Sequence, residues 1–198
     1  MSGLAPDWLE TWKTVPLPAA EALARFDAMP PVEPGALRGV WRGLGLPTGH
    51  PLDGLLEALG WFGKAFASDE DVHPLLFDAG PRGIVAVEPA WLPAALPLRL
   101  PGLARSAAAR RAFRATLPLL AARRPGAHLA RVPFRGVASA AMIYHRQPIT
   151  DHFRAIDATR VLGVMERKGM AAPYVFLLEH TDLPLSPAGG RTVIRHRT

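Results

Sequence analysis

The chain lacks cysteine altogether among its 198 residues, which excludes disulfides, thiolate nucleophiles and cysteine-held zinc or iron–sulfur centres. Tyrosine is almost as scarce, with only Tyr144 and Tyr174, and lysine is limited to Lys13, Lys64 and Lys168 beside twenty arginines. No apolar run reaches the roughly 18 residues of a membrane helix, so no membrane span is expected. Asp7 and Glu10 precede any sustained apolar stretch, which argues against a secretory signal and, with the missing cysteines, for a cytoplasmic location. Acidic residues are absent from Pro89 to Thr150, where ten arginines fall, so the net charge of +6 is concentrated in that stretch.

Several signatures are also missing. There is no Walker or dinucleotide-binding glycine pattern and no Gly-x-Ser-x-Gly elbow, which speaks against phosphoryl transfer, hydride transfer and serine hydrolysis. No His-x-His or His-Glu-x-x-His spacing occurs, so no metal site is expected. What is present is a composition of 49% hydrophobic and 20% charged residues, enough for a packed core in a single domain spanning residues 1–198.

Along the chain, the first thirty residues read as helical and stop at Pro30-Pro31. Gly35 to His50 is punctuated by glycine around one large aromatic, Trp41. Within residues 52–66, Leu52, Leu55, Leu56, Leu59, Phe62 and Phe66 recur at helical spacing, which predicts one helix there. Asp53, Glu57, Trp61 and Lys64 would then share a face of it. Gly83 to Glu88 predicts a short strand, with an edge or loop through the prolines up to Leu100. Leu103 to Arg124 predicts an Ala- and Arg-rich amphipathic helix interrupted at Pro118. Its arginines read either as a solvated face or as a patch for an anionic partner. No aromatic residues are interleaved for base stacking, so a solvated face is favoured and no nucleic-acid partner is expected. From residue 128 to 183 five strand-length segments follow with short separators, which is the pattern of an antiparallel meander. One or two further strands from residues 33–90 would complete a mainly β, small antiparallel lipocalin-like (calycin-like) β-barrel with added helices.

The string GVWRGLGLPTGHPLDGLLEALGWFGKAF, Gly39 to Phe66, resembles the bacterial and fungal GXWXG-domain family. Arg135 to Asp157, followed by VLGVMERKG and the YVFLLE strand, resembles the uncharacterised domain that usually follows GXWXG in the same chain. Together the resemblance covers residues 33 to 180. The chain departs from it at His145, where the family commonly has an acidic residue. No activity comes with this resemblance. A fainter similarity links Gly39, Trp41, Gly43 and Gly45 to lipocalin-like barrels and the haem-binding nitrobindins, although Pro47 breaks the glycine alternation. That similarity implies haem as an alternative ligand, with His180 as the axial residue.

The side chains able to carry chemistry cluster in two places. On the predicted strand around Thr150, alternation puts Ile149, Asp151 and Phe153 on one face, so Asp151 is the acid expected to point inward. Such a buried acid needs a partner, for which Lys64 or Lys168 is available. Met142 and Tyr144 share the inner face of the preceding strand. In the Thr48 to Asp53 stretch, His50 and Asp53 either cap a helix or form an oriented acid–base pair. Lys64 stands out as a retained lysine in an arginine-rich chain. Together these residues predict a protein binding a small apolar or aromatic molecule in a barrel cavity, without a cofactor. If it turns that molecule over, isomerase- or lyase-type acid–base chemistry fits, with Asp151 as base or acid, His50 its partner, and Lys64 or Tyr144 stabilising an oxyanion. Trp41, Asp53, Trp61, Met142, Phe153 and Lys168 would line the ligand. The alternatives are haem through His180, or an anionic-surface module through Arg105 to Arg124.

Overall fold

The five apolar-alternating segments of the C-terminal half become β5 (Ala127–Phe134), β6 (Val137–Tyr144), β7 (Ile149–Ala155), β8 (Arg160–Arg167) and β9 (Tyr174–Thr181) in the computed structural model, which describes residues 6–91, 106–170, 172–185 and 193–194. Each pairs antiparallel with the next, as short turns require. Five meandering strands leave two open edges. The N-terminal half covers them with β1 (Gly39–Gly45), β2 (Trp61–Phe66) and β3 (Val72–Asp78). β1 pairs with β9 on one side and β2 on the other, and β3 meets β5 through Val72 and Ala127, closing an eight-strand ring. This last joint is narrow. β4 (Ile84–Ala86) takes the other end of the same β3 edge, and β10 (Val193–Ile194) pairs with β4 outside the ring.

Helices seal the outside. α1 (Asp7–Trp12) and α2 (Ala19–Ala28) place Leu9, Trp12, Ala22 and Phe26 against Leu162, Val164, Val175 and Leu177 on the outer face of β8 and β9. The longest helix, α4 (Ala107–Leu120), holds Pro118 in its last turn and buries Leu117, while Phe113 lies edge-on to Phe77 at 5.0 Å. A short helix, α3 (Leu55–Leu59), precedes β2. The inner face carries the largest apolar cluster, including Trp41, Trp61, Phe66, Met142, Phe153, Tyr174 and Phe176. No helix among the described residues is long and apolar enough to cross a membrane. Arg99, Arg105, the predicted loop over residues 92–100, and residues 186–192 and 195–198 of the tail lie outside the described residues.

The single helix predicted over residues 52–66 is corrected. Gly54 and Gly60 flank α3 in left-handed conformations, with φ of 70° and 86°, and Gly60 ends the helix. The residues beyond it join the sheet as β2, where Trp61 to Phe66 find partners on both β1 and β3. Two strand edges outweigh the helical spacing of the leucines. Asp53, Glu57, Trp61 and Lys64 consequently do not share a helix face.

β2 is irregular in a way that matters. Alternation counted from the inward Trp61 would turn Lys64 outward. The pairing with β3 shifts register on either side of Gly63, and beyond this bulge Ala65 faces the outer cluster while Lys64 and Phe66 face inward. Only glycine fits there. Its φ is +147°, and a Cβ would stand 1.9 Å from the Trp41 carbonyl oxygen, a backbone atom that cannot move aside. Gly63→Ala is therefore expected to cost about 3 kcal/mol or more in urea unfolding. Gly49→Ala, at another left-handed position but in open space, should cost about 1–2 kcal/mol. Equal losses would show that the contact with Trp41 is unimportant.

Candidate functional site

Across the ring, Lys64 Nζ and Asp151 Oδ2 meet at 2.8 Å, with side chains 3% and 1% exposed. The amine also donates to the Pro74 carbonyl at 3.2 Å and lies over the rings of Phe176, Trp61 and Tyr144 at 4.9, 5.6 and 5.9 Å. Removing two charges from water costs several kcal/mol per ion, so this pair persists because each group supplies the other's counter-charge. Asp151 Oδ1, buried as well, has no hydrogen-bond partner among the described residues. Burial pushes the Asp151 carboxyl above the usual carboxylate range, against the pull of Lys64. The Tyr144 hydroxyl stands 3.5 Å from Oδ2, at the outer limit of a hydrogen bond.

Both tyrosines are held neutral. Burial raises Tyr144 well above its ordinary value, and the Asp151 charge adds to the effect. Tyr174 is raised in the same way by burial and then by Glu57, Asp53 and Asp151. Tyr174 belongs to the same inner row as Asp151, since Asp151 opposes Met165 on β8 and Met165 opposes Tyr174 on β9. The sequence reading overlooked it. Inward alternation of Tyr174, Phe176 and Leu178 was the available signal.

One end of the ring is capped by residues 46–60. Asp53 Oδ2 accepts the amides of Thr48, Gly49 and His50 at 2.9, 2.8 and 2.9 Å, so its carboxylate organises the loop backbone. His50 is buried and packs 5.7 Å from the Tyr174 ring centre. Its Nδ1 accepts from the Leu52 amide, and a further hydrogen bond joins it to the Ala172 backbone. Burial lowers its pKa, opposed by Asp53, so it is a neutral imidazole lying over the ring. Glu57 reaches down from α3 to accept the Gly45 amide at 2.6 Å.

Of the residues singled out from the sequence, the structure brings together Lys64, Asp151 and Tyr144, with Trp61, Met142 and Phe153 around them. His50 and Asp53 stand apart, on the cap. Trp41 lies at the opposite end, where its indole N–H donates to the Arg38 carbonyl at 2.9 Å. Lys168 is exposed in the β8–β9 turn and is not the partner of Asp151. The open hollow expected from the sequence is filled over the middle of the ring. Trp61 and Phe176 lie where Cβ atoms on Gly43 and Gly163 would stand, each within 2.3 Å of those points. The marked grooves are outside: one of about 630 Å³ passes over Thr150, Glu166 and Lys168 to the rim at Met170, and another of about 540 Å³ is lined by Arg123, Arg124, His145 and Arg146.

His180 lies on the inner side of β9 but is exposed at its end, edge-on to Trp41 at 5.2 Å. Its Nε2 sits 2.9 Å from the point a Gly39 Cβ would occupy. Facing backbone and an indole, this imidazole does not fit an axial haem ligand. No group of three or more His, Asp or Glu residues placed to hold a metal ion occurs among the described residues.

Fold and site together define a small antiparallel β-ring protein with a buried acid–base pair. Residues 24–80 match the GXWXG protein family and residues 125–180 match a domain of unknown function, DUF4334. The two matched regions follow one another along the chain, the GXWXG match in the N-terminal half and the DUF4334 match over the strands of the C-terminal half. A crystal structure of a protein from Thermomonospora curvata superposes with a TM-score of 0.62 at 29% identity, covering 84% of this chain and 89% of that one. Comparison with curated proteins gives no match.

The buried pair makes a stability prediction. Lys64→Met strands a buried carboxylate and should cost about 3–5 kcal/mol in denaturant unfolding, whereas Lys64→Met combined with Asp151→Leu should recover most of that loss. The tyrosines make another. Because Tyr144 and Tyr174 are the only two in the chain and both are raised, absorbance at 295 nm should show no phenolate in the folded protein at pH 10–11. The unfolded chain loses those protons first, so stability declines as pH climbs past about 10. His50, His73 and His152 are lowered chiefly by burial, so they contribute stability that is lost as pH falls below about 6.5.

Proposed function

We propose that the chain binds a small, largely apolar molecule between the cap and the inner row of the ring, and that Asp151 exchanges a proton with it without a cofactor. The carrying observation is Asp151 itself: wholly buried, paired at one oxygen, unpartnered at the other, and surrounded by rings. An acid whose pKa is raised by burial is suited to take and return a proton. Lys64 holds a positive charge 2.8 Å away, where it would stabilise an oxyanion formed as a proton leaves the carbon beside a carbonyl. Tyr144, kept protonated, is a second donor. His50 would act at the entrance, as part of the covering surface. Isomerase- or lyase-type chemistry fits this set.

Deuterium exchange into an enolisable cyclic ketone, followed by proton NMR, tests this reading. Asp151→Asn in a background of Lys64→Met, which avoids a stranded charge, should lower the exchange rate by about 10²-fold or more. In the wild-type protein the rate should rise with pH through a value above the ordinary carboxylate range. Exchange that survives the double substitution would leave Asp151 a structural residue.

A separate reading concerns the outside of α4. Arg110, Arg111, Arg114, Arg123, Arg124 and Arg146 line two neighbouring grooves, and none of these six is ion-paired among the described residues. Leu119, 86% exposed, stands beside them. Such a surface would hold an anionic one, with binding that weakens as salt rises.

A further inference from the structure

We infer that the molecule held under the cap is a neutral, hydroxyl-bearing one, and that Tyr174 is its second anchor. This rests on the reading of the Asp151 site given above and narrows its ligand.

The inner row runs Met142, Asp151, Met165, Tyr174, each residue directly opposite the next across β6 to β9. Directly opposed residues point to the same side, so Asp151 and Tyr174 flank Met165 on the inner face. Both are buried, at 0% and 1% exposure, and both present a polar atom without a hydrogen-bond partner among the described residues, Oδ1 of Asp151 and the Tyr174 hydroxyl. A third such atom comes down from the cap, Glu57 Oε2. Gly45 creates the room for this arrangement. The Tyr174 hydroxyl lies 2.1 Å from where a Gly45 Cβ would be, and Glu57 Oε1 lies 3.0 Å from the same point.

Satisfying these atoms discriminates between ligand classes. Oδ1 and Oε2 are acceptors that receive no hydrogen bond, and the phenol can both give and take. A bare hydrocarbon leaves all three unmatched, which is costly in a buried site. Ketones, ethers and esters only accept, and so answer Tyr174 alone. A carboxylate ligand would stand near two carboxylates of which Asp151 already has its counter-ion and Glu57 has none. A hydroxyl group donates to a carboxylate oxygen and accepts from the phenol. A diol or hydroxylated ring answers two of the three sites at once. The surrounding wall is apolar and adaptable: Met165, Met170, Leu52 and Leu56 are only partly buried against the core at this end.

Naphthalene, 2-naphthol and 2,6-dihydroxynaphthalene, titrated against the full chain by fluorescence or calorimetry, share one skeleton and differ in hydroxyl count. Affinity is expected to rise by about tenfold with each hydroxyl. Tyr174→Phe should lower the diol-to-naphthalene affinity ratio about tenfold, and Glu57→Gln, which keeps the size of the side chain, should lower it too. Equal affinity for all three probes, or a ratio untouched by both substitutions, overturns the inference and assigns those polar atoms to water. Binding of none of the three also overturns it. A hydroxyl preference that depends on Tyr174, in a protein showing no deuterium exchange, upholds this inference while removing the proton-transfer reading.

Discussion

A lysine and an aspartate, each almost fully removed from solvent, are costly to bury and stable only in each other's presence. The rest of the ring is arranged around that requirement. Lys64 enters from β2 and Asp151 from β7, on opposite sides of the strand order, so their contact ties the N-terminal half of the ring to the C-terminal meander. The closing strand pair between β3 and β5 is a single residue couple, whereas this ion pair crosses the interior itself. Polar specificity and closure are thereby linked: a ring that fails to close strands two charges in an apolar medium.

The interior is packed by setting rings onto glycines. Trp61 covers Gly43 and Phe176 covers Gly163, so aromatic side chains fill a narrow ring at places where any Cβ would collide. Edge-to-face contacts extend this packing, with Phe176 meeting both Trp61 and Phe153 at centroid distances of 6.0 and 6.2 Å. The consequence is an asymmetric interior. Its middle is occupied by rings around the Lys64–Asp151 pair, while Glu57 and the Tyr174 hydroxyl meet over Gly45 at the capped end.

Much of this was legible in the residues. Four short separators between five strand-length segments announced the meander, and the alternation of Ile149, Asp151 and Phe153 placed the acid inside. The GXWXG and C-terminal strings carried the resemblance that the two family matches report. Other features were not legible. Leu52 to Phe66 has helical spacing, yet Gly60 stops the helix and both edges of the following segment are taken by strands, a competition visible only once β1 and β3 are in place. Lys64 is conspicuous for its rarity, yet the spacing sets it on a helix face, because the bulge that turns it inward shows in the pairing and not in the spacing. Tyr174 carries no separate signal, because one tyrosine on an apolar strand has the pattern of core.

The antiparallel meander, the inward acid and the local excess of arginine follow from period-two alternation, turn length and composition, all of which act over a few neighbours along the chain. Tertiary structure alone decided which lysine faces Asp151, that Trp41 belongs to the far end with His180, and that His50 covers the ring beside Tyr174. Those outcomes depend on ring closure, a one-residue bulge and the space left over two glycines, and each is set by contacts between segments far apart in sequence.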